Sequence, residues 1–166
     1  MTNLTSGWEQ RLVSLWASID ECDPADFRAK MQALTGELPS GDAVALFELA
    51  SANDSTGQED EAASLYRKAL DAGLTGERRR RAVIQLSSTL RNLGQVKTSV
   101  ALLSAERKAG SDHLDDAVDA FLALALVDTG REREAVSLAL GALSRHLPRY
   151  RRSLAHYAKA IADTSK

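Results

Sequence analysis

A repeat of 36 to 37 residues constrains this chain more than any other feature. The segment GQEDEAASLYRKAL at 57–70 matches GREREAVSLALGAL at 130–143 in eight of fourteen positions. A weaker copy, GQVKTSVALLSAER, sits at 94–107. Gly57, Gly94 and Gly130 are therefore 37 and 36 residues apart. Eight residues before each glycine stands a leucine: Leu49, Leu86 and Leu122. Seven before stands a small residue (Ala50, Ser87, Ala123), and five after stands another (Ala62, Ser99, Ala135). A period in this range means stacked helical pairs. In each unit the glycine supports a tight turn between two antiparallel helices. The small residues let the two backbones approach, and the leucines fill the seam. One pair cannot bury its apolar face alone, so neighbouring pairs must stack.

The spacing predicts first helices over about 41–56, 77–93 and 112–129 and second helices over about 58–72, 95–109 and 131–146. Further helices flank this array. Residues 5–20 place Trp8, Leu12, Leu15, Trp16 and Ile19 on one stripe. That stripe reads as packing against the array or as a docking or dimer surface. Asp23-Pro24 is an N-cap followed by proline at the first helical position, which starts a second helix over about 24–36. After Pro148, a stripe of Tyr150, Leu154, Tyr157 and Ile161 fits a helix that covers the last apolar face. Ala, Leu, Glu and Arg abound, and no long run alternates apolar with polar residues. The fold class expected is all-α, an array of stacked antiparallel helix pairs with about nine helices, which in the repeat family that these residues resemble is a right-handed superhelical array. It makes a single domain. Capping helices occupy 1–38 and 148–164, and the three repeat units occupy 41–72, 77–109 and 112–146.

These residues carry a resemblance to the tetratricopeptide repeat. Leu46, Leu49, Ala50, Gly57, Ala62, Tyr66 and Ala69 fit its consensus in the first unit. Leu86, Ser87, Gly94 and Ser99 fit in the second, and Leu122, Ala123, Gly130, Ala135 and Ala142 in the third. The departures are Glu106, where a small residue is usual, Asp119 at a bulky position and Ala139 at an aromatic one. From about residue 24 onward the chain also resembles a bacterial family of compact tetratricopeptide proteins, in stretches such as ALFELASANDSTG (45–57) and AFLALALVDTGREREA (120–135). The resemblance implies a protein-interaction scaffold, with dimerisation as a further expectation, whose first helices line a concave groove. The peptide-contacting positions it implies are Val44, Phe47, Ser51, Asp54 and Ser55 in the first unit. In the second they are Arg81, Ile84, Ser88, Arg91 and Asn92. In the third they are Ala117, Ala120, Leu124, Val127 and Asp128.

Motifs for chemistry are lacking. His113, His146 and His156 are scattered, and no HExxH, CxxC, phosphate-binding glycine loop or GxSxG elbow occurs. Nothing assembles a nucleophile, a base and an orienting group, so no catalytic residue, metal ligand or cofactor is expected. The one cysteine, Cys22, fits a reducing compartment, and a cytoplasmic location is expected. MTNLTSGWEQR has no basic region followed by an apolar core, so a secretory signal is not expected. The apolar run FLALALV (121–127) is far below the roughly 20 residues of a membrane span.

Charge is distributed in blocks. Residues 1–74 hold 5 basic and 13 acidic groups, 75–108 hold 8 and 2, 109–147 hold 3 and 7, and 148–166 hold 5 and 1. Neighbouring helices can neutralise one another, or the blocks can serve partners. The run Arg78-Arg79-Arg80-Arg81 opens a helix at its positive end, where the macrodipole disfavours cations. On that helix Val83, Leu86, Leu90 and Leu93 form the apolar seam, and Arg81, Gln85, Ser88 and Asn92 the adjacent face, with Arg91 at its edge. Arg and Asn suit a carboxylate, which makes an acidic segment or a free C-terminus of a protein partner the expected ligand. The expected contacts are Arg81, Gln85, Ser88, Arg91, Asn92, Phe47, Ser51, Asp54 and Asp128, with Arg78, Arg79 and Arg80 as a solvated rim that steers anionic partners. Alternatively, Arg81 and Arg91 pair with acids of the first unit, such as Asp54. Self-association into a homodimer is a second expectation. Nucleic acid is disfavoured, because the arginine clusters hold no stacking aromatic except Tyr150.

Overall fold

The computed structural model describes residues 6–163. Among them are nine α-helices and no strand: α1 (Ser6–Ala17), α2 (Pro24–Thr35), α3 (Ala43–Ser55), α4 (Glu59–Asp71), α5 (Gly76–Asn92), α6 (Val96–Ala109), α7 (Asp115–Val127), α8 (Glu132–His146) and α9 (Arg151–Asp163). A short 3₁₀ turn, Ile19–Glu21, follows α1. The all-α class and the helix pairs expected from the repeat are both present. By contact density the chain divides into two compact units, residues 1–82 and 83–166, with the division inside α5.

The repeat glycines build the same turn three times. Gly57, Gly94 and Gly130 have φ of +77°, +77° and +74°, the left-handed region that L side chains avoid. The N–H after each glycine reaches back five residues: Gln58 to Asn53 O at 2.8 Å, Gln95 to Leu90 O at 2.8 Å, and Arg131 to Leu126 O at 3.0 Å. This is the Schellman closure, which satisfies a carbonyl that the helix end leaves without a partner. The carbonyl of the same residue then accepts the first bond of the next helix, from Ala62, Ser99 and Ala135. One turn geometry thus ends each first helix and starts each second one.

In residues 1–82, α1 packs on α2, α2 on α3 and α3 on α4. Asp23 and Asp42 cap α2 and α3, each accepting two backbone N–H groups on its side chain. Trp8, Leu12, Phe27, Met31, Leu34 and Ala52 form a core cluster. The tryptophan stripe is packing rather than a docking surface. Trp8 is buried with Nε1 donating to Leu34 O at 3.0 Å, and the ring of Trp16 lies 5.3 Å from that of Phe27. Ala50 and Ala62, the small residues of the first pair, are fully buried.

In residues 83–166, α6 packs on α7, α7 on α8 and α8 on α9. Ile84, Leu103, Val118, Leu122, Ala123, Leu126 and Ala135 form its core. Charge is neutralised between helices within this unit. Asp119, the departure at a bulky position, is buried and accepts Arg107 Nε at 2.6 Å and Arg145 Nη2 at 3.3 Å. Asp116 also accepts Arg145, and its Oδ2 lies 2.7 Å from His146 Nε2. The Arg145 hydrogen bond, helped by His146, holds the Asp116 carboxyl below the usual carboxylate range. Glu106, the other departure, is buried as well. On α9 the expected covering stripe is only partly realised. Leu154 and Ile161 are half-buried, whereas Tyr150 and Tyr157 are exposed. Tyr150 precedes α9, with φ of +67°, and on α9 itself Ala158 takes the buried position while Tyr157 stays at the surface.

Candidate functional site

The arginine run does not form a uniform rim. Arg78 donates from Nε to Glu48 Oε1 at 3.0 Å and from Nη2 to Glu9 Oε2 at 2.7 Å. Glu48 is buried on α3, and its other oxygen accepts Trp16 Nε1 at 2.9 Å. Burial works against the guanidinium charge of Arg78, but the two carboxylates prevail and raise its pKa further. Arg80 is buried at 6% exposure. The solvated rim expected over Arg78–Arg80 is therefore corrected at Arg78 and Arg80, and only Arg79 of the three is exposed. Glu77 in the first turn of α5 offsets part of the repulsion between cations and the helix end.

Arg81 is exposed, and its guanidinium lies over the Phe47 ring, 5.4 Å from the centroid. Cation–π attraction to the ring helps hold the guanidinium there. Phe47 itself has no accessible surface, and Ser51 is 2% exposed. Both were expected as contacts. Their positions on α3 turn them inward, toward Tyr66 of α4, whose ring is 6.2 Å from that of Phe47. The buried Tyr66 hydroxyl lies 3.3 Å from Ser51 Oγ and 3.3 Å from Asp54 Oδ2. Burial pushes the Tyr66 phenol far up, so it stays protonated and donates to the Asp54 carboxylate. Phe47 thus lies under Arg81, and Ser51 shares the Tyr66 hydroxyl with Asp54.

Farther along α5, the register of 4, 3 and 4 residues puts Arg81, Gln85, Ser88 and Asn92 on one side of the helix. Gln85 and Ser88 are half-buried and Asn92 is exposed. Ile84, a contact position implied by the resemblance, is buried in the core of residues 83–166 instead. Arg91 pairs with Asp128, Nε to Oδ2 at 2.6 Å and Nη2 to Oδ1 at 3.3 Å. Its internal partner is thus an acid of the third repeat, not Asp54. On α7, Ala120, Leu124 and Val127 are exposed. Asp128 also edges an open cleft of about 410 Å³ lined by Gly94, Val96, Lys97, Thr98 and Thr129.

Glu9, Glu48 and Asp119 are ion-pair partners that helical periodicity does not reveal. Only the pairing of Glu48 with a large apolar neighbourhood (Leu46, Phe47, Leu49) hinted at a buried acid. Among the described residues, no group of three His, Cys, Asp or Glu is arranged to hold a metal ion, and no helix is long and apolar enough to cross a membrane.

A family model described as the tetratricopeptide repeat matches residues 43–161. No curated protein and no solved structure matched the chain. Repeats of this kind generally mediate protein–protein interaction, and the family is typically non-catalytic. The match spans α3 through most of α9, the helices that carry the glycine turns, and the chain belongs to the tetratricopeptide-repeat family.

Proposed function

We propose that the protein is a non-enzymatic interaction module that binds an acidic segment of a protein partner along the exposed side of α5. The observation that carries this reading is Arg81, an exposed guanidinium held over a fully buried Phe47. Its fork is oriented before any ligand arrives, which reduces the ordering cost of binding. Gln85, Ser88 and Asn92, on the same side of α5, supply donors for the backbone of an extended chain. Arg79, exposed at the start of the helix, adds attraction at longer range.

The test is fluorescence anisotropy with a labelled seven-residue peptide carrying four acidic residues, against its Asn/Gln counterpart. The acidic peptide binds more tightly, weakens as salt rises, and loses affinity roughly tenfold with Arg81→Ala. Equal binding of both peptides, or an unaffected Arg81→Ala variant, contradicts the reading.

A second reading, self-association, is favoured by Tyr150 and Tyr157 of the C-terminal region, exposed at 77% and 63% beside Arg149, Arg151 and Arg152. Light scattering at low and high salt separates the two. A dimer lost with Tyr157→Ser supports self-association, and a monomer under both conditions removes it.

A further inference from the structure

Val136, Ala139 and Leu143, spaced 3 and 4 residues apart, form an apolar stripe along α8. Val136 and Leu143 are 45% and 49% exposed, and Ala139 between them is exposed as well. In the other repeats the same positions are covered. Ala63 and Tyr66 correspond to Val136 and Ala139 in the first repeat, and Val100 and Leu103 correspond in the second. Ala63, Tyr66 and Leu103 are buried, and Val100 packs on the cluster that Val118 and Leu122 of α7 help to build. In α8 these positions open to solvent instead. The last unit of a stacked array needs a polar outer face, and α9 does not supply one over this stripe.

We infer that the stripe is the interface with a second copy of the chain, in which two α8 helices pack antiparallel about a two-fold axis beside Ala139. This rests on the self-association reading above and names its surface. The pattern along α8 is self-complementary. Val136 lies three residues before Ala139 and Leu143 four after, so antiparallel pairing sets Val136 against Leu143 of the second copy and Leu143 against its Val136. Alanine at the centre lets the two helices approach closely. Glu132 and His146 extend the same line seven residues to either side, and both are exposed. The first turn of α8 is acidic and the last is basic, so each acidic end meets the basic end of the other copy. A parallel pairing would set like charges together. Beside α8, Arg133 donates to Ile161 O and Arg151 to Arg145 O, so α9 runs back along α8 and brings the exposed Tyr157 level with the middle of the stripe. The fifteen residues of α8 are about 22 Å long, and one face of such a helix falls short of the roughly 800 Å² per partner of a standard interface, so the dimer is a micromolar one.

Sedimentation equilibrium of the full chain over the micromolar range is the test. The wild type dimerises, and Leu143→Glu and Val136→Lys each weaken the dimer roughly tenfold or more, because each sets two unpaired charges in the contact. The two variants mixed together regain dimer, and so does Val136→Lys/Leu143→Glu in one chain, because the new charges meet across the axis. Ala139→Cys in a Cys22→Ser background cross-links to a dimer under mild oxidation, since the two copies of residue 139 face each other. Circular dichroism checks that each variant is folded. A dimer indifferent to both single substitutions overturns α8 as the interface and leaves self-association standing. Weakening by both without recovery in the mixture or the double variant overturns the antiparallel pairing. A wild type that stays monomeric throughout the range overturns the inference and the self-association reading together.

Discussion

Arg78 and Glu48 meet at 3.0 Å, a cation from the start of α5 and a buried carboxylate of α3. Glu48 shares the burial of the core around it, and Trp16 and Arg78 together satisfy its two oxygens. This pairing explains one of the four arginines that open α5. A carboxylate at 3% exposure requires a cation within reach, and the helix accepts the local repulsion.

Removing Arg78 leaves that carboxylate with the indole donor alone. Arg78→Ala lowers unfolding stability by about 2 kcal/mol, below the usual figure for a buried pair because the guanidinium is itself partly exposed. Glu48→Gln, which still accepts from Trp16, costs less. Urea unfolding of both variants checks the order. Equal stability of Arg78→Ala and the wild type would show that the pair is merely incidental.

The repeated turn gives a second test. Alanine at Gly94 meets no heavy atom within 4 Å, so the cost is conformational and not steric. Gly94→Ala destabilises by about 1–2 kcal/mol, the cost of placing an L residue in the left-handed region. Thermal denaturation measures it. A loss much larger than this would point to a clash, and no loss would mean that the turn relaxes.

Two serines at small-residue positions are predicted to respond with opposite signs. Ser87 donates to Val83 O at 2.7 Å, whereas the buried Ser99 hydroxyl has no hydrogen-bond partner among the described residues. Ser99→Ala therefore raises stability by about 1 kcal/mol, and Ser87→Ala lowers it by up to that amount. Unfolding midpoints that move in the same direction for both would refute the distinction.

Asp116 supplies the pH dependence. Its folded pKa is depressed, chiefly by the Arg145 hydrogen bond, so its stabilisation is present above the unfolded value of about 3.9 and fades as pH falls through the lower folded one. The stability gap between wild type and Asp116→Asn then closes as pH falls below about 4. Melting curves across that range measure it. A gap that persists at the acidic end contradicts the assignment.

The helices were legible because the repeat is local. Leucine, small residue and glycine recur at fixed offsets, and each offset dictates a turn or a close approach within one pair. The arginine cluster was legible only in part. Arg81 and Arg91 could be placed on or beside one side of α5 from register alone, but the partners of Arg78 lie 30 and 69 residues away in sequence and that of Arg91 lies 37 away. Phe47 and Ser51 were assigned to a binding surface by analogy of position. The pairing of α3 with α4 buries them, and periodicity on one helix cannot tell which apolar or small residue a neighbouring helix will cover. Tyr157 fails for the opposite reason. Its stripe is amphipathic, but Ala158 gives α8 the closer approach.

Two-dimensional NMR of the ¹⁵N-labelled protein, titrated with the four-acid peptide, tests the binding face directly. Progressive shifts of the Arg81, Gln85, Ser88 and Asn92 amides and of the Arg81 side chain, absent with the Asn/Gln peptide, are the predicted result. Shifts confined to other helices, or identical shifts with both peptides, would contradict a cationic recognition face on α5.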